Sequence, residues 1–175
     1  MSYLILSDFR LLGTLPASIG NLTLGVLYMN GNALQGTIPG TLGNLGARLI
    51  YLDNNKFTGT LPASLASNSP LTGLTLDLNR LTGTIPKAFG DIGSQFMVIS
   101  AAFNDFTGTL PSGLCSANAC NFQYNAHLGC PVDSCKCGLS LCTCGNVCYS
   151  ASDCVGGSCP SCSKGPWGYL TCGGK

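Results

Sequence analysis

The sequence predicts an α/β solenoid, a stack of coils joined through short parallel strands, followed by a small disulfide-rich domain. Three observations predict this architecture. A Gly-Thr-(Leu/Ile)-Pro motif recurs along the chain, an alternating apolar pair precedes each copy, and all twelve cysteines lie between Cys115 and Cys172. The predicted domains are the solenoid, residues 1–131, and the cysteine-rich tail, residues 132–175.

The motif recurs every 23 to 25 residues, with its glycine at Gly13, Gly36, Gly59, Gly83 and Gly108. Nine and seven residues before each glycine stand the two members of the apolar pair, for example Ile50 and Leu52. Because successive side chains of a strand point to opposite faces, each pair predicts one short strand with its apolar face inward. A single coil cannot bury that face, so the coils must stack into a continuous core with parallel strands. The predicted strands lie near residues 3–7, 26–30, 49–53, 73–77 and 98–102.

An asparagine column precedes the motif glycine by four residues: Asn32, Asn55, Asn79 and Asn104. An amide carries donors and an acceptor, so an inward asparagine can bond backbone groups of its own and adjacent coils. The sequence therefore predicts a buried, fully bonded structural ladder. A sixth, divergent coil places Cys120 and Phe122 at the apolar pair and Asn125 in the asparagine column, which predicts a stapled cap.

The far side of each coil is predicted to be irregular. The motif proline lacks an N–H and suits extended chain that needs no ladder bond. Segments such as residues 42–45 are long enough for only a turn of helix. The repeated threonines of the motif are expected to be small polar turn residues rather than a water-ordering ladder.

These columns resemble the plant-type leucine-rich repeat, L-x-x-L-x-L-x-x-N-x-L-x-G-x-I-P, of receptor-kinase ectodomains and polygalacturonase-inhibiting proteins. The Thr-Leu-Pro wording is also similar to surface-antigen repeats of kinetoplastid protozoa. The resemblance covers about residues 3–131. It implies a leucine-rich-repeat solenoid with a parallel sheet on its concave face and 3₁₀ or irregular structure on its convex side, used for recognition.

The cysteines indicate an oxidising, extracellular compartment, because an even and dense set favours disulfides over thiolate metal ligands. Asn21 begins an Asn-Leu-Thr sequon and is the predicted glycosylation site. A net charge of +1 provides little electrostatic attraction for nucleic acid or anionic lipid, so neither is predicted as a partner. No apolar stretch approaches the ~20 residues that span a bilayer. The chain is therefore predicted to be secreted or displayed at the cell surface, with no cofactor and no metal.

The tail from Cys144 has the spacing C-x3-C-x5-C-x4-C-x2-C-x9-C. This spacing resembles an inhibitor cystine knot and is close to that of the plant metallocarboxypeptidase inhibitors. The resemblance implies the pairs Cys144–Cys159, Cys148–Cys162 and Cys154–Cys172. The connectivity of the other six stays open: Cys115, Cys120, Cys130, Cys135, Cys137 and Cys142.

Candidate binding residues flank the apolar pairs on the outward face of the predicted sheet. They are Tyr28, Asn30, Arg48, Tyr51, Asp53, Thr75 and Asp77. Since neighbouring strands lie about 4.8 Å apart, the two tyrosines should stack and the two aspartates should be neighbours. Aromatic residues beside polar ones favour a protein or glycan ligand. No enzyme is predicted, since the chain has one histidine and an open sheet lacks the cleft that catalysis needs.

Three functions remain open from sequence. The first is extracellular recognition through the concave face. The second is a structural protein that self-assembles head to tail through an open N-terminal edge and the capped C-terminal end. The third is a protease inhibitor acting through the knot.

Overall fold

The computed structural model describes residues 2–67 and 70–129, together with the backbone of three strands in the tail. In chain order the solenoid strands are β1 (Tyr3–Ile5), β2 (Leu12–Thr14), β3 (Val26–Tyr28), β4 (Ala33–Thr37), β5 (Leu49–Tyr51), β6 (Lys56–Thr60), β7 (Gly73–Thr75), β8 (Arg80–Thr84), β9 (Val98–Ser100), β10 (Asp105–Thr109), β11 (Cys120–Asn121) and β12 (His127–Gly129). Each coil contributes two strands, and these strands are collected into two separate sheets.

The first sheet has the order β1-β3-β5-β7-β9-β11, and every neighbouring pair is parallel. Its register aligns the first member of each apolar pair: Leu4, Leu27, Ile50, Leu74, Ile99 and Cys120. These side chains point into the core, and Leu27 and Leu74 are completely buried. The predicted α/β solenoid with parallel strands is confirmed.

The second sheet has the order β12-β10-β8-β6-β4-β2 and is also parallel. The sequence pattern predicted one strand per coil, and the structure adds a second strand just after the asparagine column, before the 3₁₀ and short α-helical segments. From the second coil to the fifth, the apolar residue two before the motif glycine is buried in the core: Leu34, Phe57, Leu81 and Phe106. Its neighbours on either side, such as Lys56 and Thr58, are exposed. This alternation of exposed and buried side chains is typical of a strand, but it extends over too few residues to be recognised from the sequence.

The motif glycines hold the second sheet together through close packing. Gly59 and Gly83 both have φ of 76°, a conformation that favours glycine. A Cβ on Gly59 would lie 2.9 Å from Cγ2 of Thr37, and one on Gly83 would lie 2.9 Å from Cγ2 of Thr60. The threonine methyl of one coil therefore covers the glycine of the next. This contact gives the repeated Gly-Thr pair a structural role.

Each described coil returns to the first sheet through one or two helical turns. Two are α-helical, α1 (Ser64–Ser67) and α2 (Lys87–Asp91); the others are 3₁₀ segments at Ala17–Asn21, Gly40–Leu45, Gly93–Gln95 and Ser112–Ser116. The motif proline precedes these turns as an extended residue, as at Pro39 with φ −69°. Proline fits this position because its fixed φ suits the entry to a helix and its missing N–H would have no partner there.

The described part of the tail contains an antiparallel sheet of order β13-β15-β14, formed by β13 (Val147–Cys148), β14 (Ser161–Lys164) and β15 (Leu170–Gly173). The side chains that would form the three knot disulfides lie outside the described residues, so that pairing stays a prediction. Cys115 and Cys120, in the cap coil, are both disulfide-bonded. Among the described residues, no helix is long and apolar enough to cross a membrane.

Candidate recognition surface

The outward side of the first sheet presents two rows of side chains, which we call the first-sheet face. The residue between the two members of each apolar pair supplies one row: Ile5, Tyr28, Tyr51, Thr75 and Ser100. The residue after the pair supplies the next row: Ser7, Asn30, Asp53, Asp77 and Ala102. Side-chain alternation along a strand turns the first row outward, away from the apolar pair that flanks it. At the C-terminal end of the two rows Ser100 and Ala102 are nevertheless buried, with exposed fractions of 7% and 1%.

Tyr28 and Tyr51 stack on this face. Their ring centroids are 4.6 Å apart with an interplanar angle of 22°, because β3 and β5 align the two residues directly. Both rings are half-buried. Burial raises the pKa of the Tyr51 hydroxyl, and the nearby Tyr28 and Asp53 raise it further. Tyr51 therefore keeps its proton at neutral pH and can donate a hydrogen bond to a ligand.

Two carboxylates lie beside the tyrosines, each held by a hydroxyl of the following coil. Thr75 donates to Oδ1 of Asp53 at 2.5 Å, and Ser100 donates to Oδ1 of Asp77 at 2.6 Å. The Ala102 N–H also donates to Oδ1 of Asp77 at 2.5 Å. A related bond joins Ser7 to Asn30 at 2.7 Å. These bonds tie neighbouring coils together and fix the direction of each polar group.

Neither carboxylate forms an ion pair with a cation of the described residues. Within residues 2–67 and 70–129, the ion pair observed is Lys87–Asp91, on the exposed side of α2. Arg48 is exposed beside the sheet. Burial raises the pKa of Asp77, and Asp53 raises it further, although the hydrogen bonds from Ser100 and Ala102 lower it. The face therefore carries partly desolvated negative charge.

We expect Asp77→Asn to stabilise the fold slightly at neutral pH, by less than about 1 kcal/mol because solvent screens this half-buried group. The amide oxygen can still accept the bonds from Ser100 and Ala102, while the charge beside Asp53 is removed. Since the pKa of Asp77 is raised by burial, wild type regains stability as pH falls from that pKa towards the ordinary value of 3.8. The advantage of the variant should therefore shrink with acidification in paired thermal melts. An advantage that grows at low pH would contradict this account.

The residue that follows the second row adopts a left-handed backbone in every coil: Asp8, Gly31, Asn54, Leu78, Phe103 and Tyr124, with φ between 54° and 69°. The first three are residue types that tolerate this conformation. Leu78, Phe103 and Tyr124 are bulky, and each is held there at a cost of about 1–3 kcal/mol. Sequence reasoning did not include these three among the binding residues. The signal was a column that changes from small polar to large apolar residues.

The asparagine column lies beneath this turn and is fully bonded. Asn79 donates to the carbonyls of Leu52 at 3.0 Å and Leu76 at 3.1 Å, and accepts from the Phe57 N–H at 3.0 Å. The equivalent bonds are made by the amides of Asn32, Asn55, Asn104 and Asn125. No buried side-chain nitrogen or oxygen lacks a partner among the described residues. The column joins each coil to the one before it.

Two other predicted features have a place in the structure. Asn21 is exposed at the end of a 3₁₀ segment, where a glycan would meet no steric barrier from the core. Its glycosylation stays a prediction. In the part of the chain that the structure describes, no group of three or more His, Cys, Asp or Glu side chains is arranged to hold a metal ion.

Known proteins share both the repeat and the fold. Residues 23–45 and 47–68 match the family model described as Leucine Rich Repeat. No curated protein sequence matches the chain significantly. Among solved structures, the ectodomain of BIR2 from Arabidopsis thaliana is 34% identical with a TM-score of 0.66, and the match covers 71% of this chain and 67% of that one.

Two further similar structures were solved with bound partners. The ectodomain of the Arabidopsis thaliana receptor kinase GASSHO1/SCHENGEN3, in complex with CASPARIAN STRIP INTEGRITY FACTOR 2, is 31% identical with a TM-score of 0.64 over 74% of this chain. The ectodomain of the Arabidopsis receptor kinase HAESA, in complex with an IDA peptide hormone ligand, is 28% identical with a TM-score of 0.61 over 69% of this chain. This chain spans only 16% and 21% of those two ectodomains. By its repeat, its fold and its identity to BIR2, the chain belongs to the leucine-rich-repeat family.

Proposed function

We propose that this chain is an extracellular recognition module that binds a protein ligand through the first-sheet face. The observation that carries the proposal is the stacked pair Tyr28 and Tyr51 beside the bonded carboxylates of Asp53 and Asp77. Similar ectodomains have been solved with an IDA peptide hormone and with CASPARIAN STRIP INTEGRITY FACTOR 2. The disulfide-bonded Cys115 and Cys120 support an extracellular location.

The geometry of the face favours binding because its groups are already ordered. The two tyrosines are set by the register of β3 and β5, and the two aspartates are set by hydroxyl and backbone donors. A ligand therefore meets groups that lose little conformational freedom on association. Half-buried tyrosines supply large contact area together with a polar hydroxyl, a combination common at binding hot spots.

We expect Tyr28→Ala and Tyr51→Ala each to weaken partner binding by about 1–2 kcal/mol, or roughly five- to thirtyfold. Their stability should change little because both rings lie on the solvent side of the sheet. The partner is first identified on an array of extracellular proteins, and affinity is then measured by surface plasmon resonance. Thr58→Ala, on the second sheet, is the matched control and should bind as wild type.

The same variants separate the alternative functions. If the chain is a self-assembling structural protein, Tyr28 and Tyr51 are dispensable, whereas Tyr3→Ala in β1 disperses oligomers in sedimentation experiments. If it is an inhibitor acting through its tail, deletion of residues 173–175 abolishes protease inhibition and both tyrosine variants behave as wild type. Either pattern would contradict recognition through the first-sheet face.

A further inference from the structure

We propose that Leu78, Phe103 and Tyr124, which we call the apolar ladder, form with Asp53 and Asp77 a subsite for a short extended peptide segment. The segment carries one or two basic side chains followed by apolar ones. This inference deepens the proposed recognition function and rests on it. It assigns the chemical class of the ligand and places the second half of its binding site on the C-terminal coils.

The apolar ladder is not required by the fold. Asp8, Gly31 and Asn54 fill the same left-handed position in the first three coils. Those residue types adopt the conformation with little strain, whereas a bulky side chain there is an outlier. The first three coils thus place residues that tolerate the left-handed conformation at this turn, whereas the next three coils place bulky residues there. Strain of this kind is associated with functional positions.

The ladder side chains also contribute little to the core. The exposed fractions are 51% for Leu78, 48% for Phe103 and 66% for Tyr124. Phe103 and Tyr124 stack on each other at a centroid distance of 4.2 Å and an interplanar angle of 16°. Backbone bonds from Leu78 to the Ala102 carbonyl and from Phe103 to the Gln123 carbonyl, both 2.9 Å, hold the successive positions in line. The result is an aligned row of large side chains on three successive coils, open to solvent, a feature typical of interaction sites.

The charge next to the ladder identifies the occupant. Asp77 directly precedes Leu78, and Asp53 lies in the same row one coil earlier, so two carboxylates adjoin one end of the ladder. Neither takes part in an ion pair among the described residues. An occupant complementary to both features presents positive charge at the carboxylates and apolar groups at the aromatic end. A ligand that is acidic, or polar without charge, would not complement both the carboxylates and the apolar ladder.

The spacing of the coils sets the size of the occupant. Strands of the sheet repeat every ~4.8 Å, so the three steps from the coil of Asp53 to that of Tyr124 span about 14 Å. An extended peptide advances about 3.3 Å per residue. A segment of roughly four or five residues, running across the strands, therefore reaches from the carboxylates to the aromatic pair.

The test is selection of a random peptide library, displayed on phage, against the full chain. We expect the recovered peptides to share a basic residue followed within about four positions by leucine, phenylalanine or another large apolar residue. Recovered peptides are then synthesised with a fluorophore and titrated by fluorescence polarisation. Asp53→Asn and Asp77→Asn should each weaken binding severalfold and flatten its dependence on salt.

Asparagine substitutions in the ladder separate binding from structure. Leu78→Asn, Phe103→Asn and Tyr124→Asn keep a residue that tolerates the left-handed turn, so their melting temperatures should be unchanged or higher. Peptide affinity should fall at least about tenfold for Phe103→Asn and Tyr124→Asn, as for buried aromatic anchors. Asn54→Gly, in the same column outside the ladder, is the matched control and should retain affinity within about twofold, as peripheral contacts do.

Several results would overturn the subsite. These are failure to recover peptides, recovery of acidic or wholly polar peptides, or equal affinity in the ladder variants. A lower melting temperature in the ladder variants would assign these residues to the fold instead. A dimer that Phe103→Asn disperses in sedimentation would assign the ladder to a second copy of the chain. If the Tyr28→Ala and Tyr51→Ala variants bind the array partner normally while the ladder variants lose peptide binding, the tyrosine site is rejected and the subsite is retained. If the tyrosine variants lose the array partner while the ladder variants still bind the peptides, only the subsite is rejected.

Discussion

Replacing Gly43 by alanine is expected to lower the free energy of unfolding by about 3 kcal/mol. Gly43 is buried in the 3₁₀ segment Gly40–Leu45 and does not adopt a left-handed conformation. A Cβ at this position would lie 2.3 Å from the carbonyl oxygen of Ser64 and 2.6 Å from its carbonyl carbon. The obstacle is backbone of the next coil, which cannot rotate aside as a flexible side chain would. The stack must open locally to admit one methyl group.

Gly40→Ala is the matched control for this prediction. It lies in the same 3₁₀ segment, but its added Cβ would meet only Oγ of Ser64, at 3.4 Å. Its stability should stay within about 0.5 kcal/mol of wild type, as for most surface substitutions. Urea unfolding followed by circular dichroism measures both variants. Equal losses for the two would show that contact with the Ser64 backbone does not determine the effect, since alanine has the higher helix propensity at both positions.

Asn79→Ala is expected to be similarly damaging, with a loss of about 3 kcal/mol. The amide bonds the Phe57 N–H and the carbonyls of Leu52 and Leu76, in a site where Asn79 is only 8% exposed. Alanine leaves these backbone groups without a side-chain partner, and each unsatisfied buried group costs about 1–3 kcal/mol. Two of the three groups belong to the preceding coil, so the substitution also loosens the stack.

The control for the asparagine column is Asn44→Ala, because Asn44 is exposed in the 3₁₀ segment. Its free energy of unfolding should be close to that of wild type. Both variants are compared in the same urea titrations. A loss below about 1 kcal/mol for Asn79→Ala would mean that water replaces the amide at little cost, and that the ladder does not hold the coils together.

The sequence by itself determined the period, the parallel strands of the first sheet and the direction of their side chains. These follow from local rules. The alternation of side chains along a strand places Ile50 and Leu52 inward and Tyr51 outward. Repetition at a nearly constant period then places equivalent residues of successive coils next to each other. The pairing of Tyr28 with Tyr51 could be anticipated for the same reason, since both occupy one position of the repeat.

Other features were decided only by the tertiary structure, because they depend on distances between coils and on backbone angles that residue type does not specify. In the second sheet, the positive φ of Gly59 and its lack of a side chain leave room for the Thr37 methyl group of the preceding coil. Gly43 is indispensable only because the carbonyl of Ser64 passes so near. Phe103 resembles any exposed aromatic residue until its φ of 55° shows that the chain holds it in a left-handed turn. The length of the sequence repeat specifies which residues of adjacent coils become neighbours. The distance between the backbones of those coils, which the sequence does not give, determines how closely these residues pack.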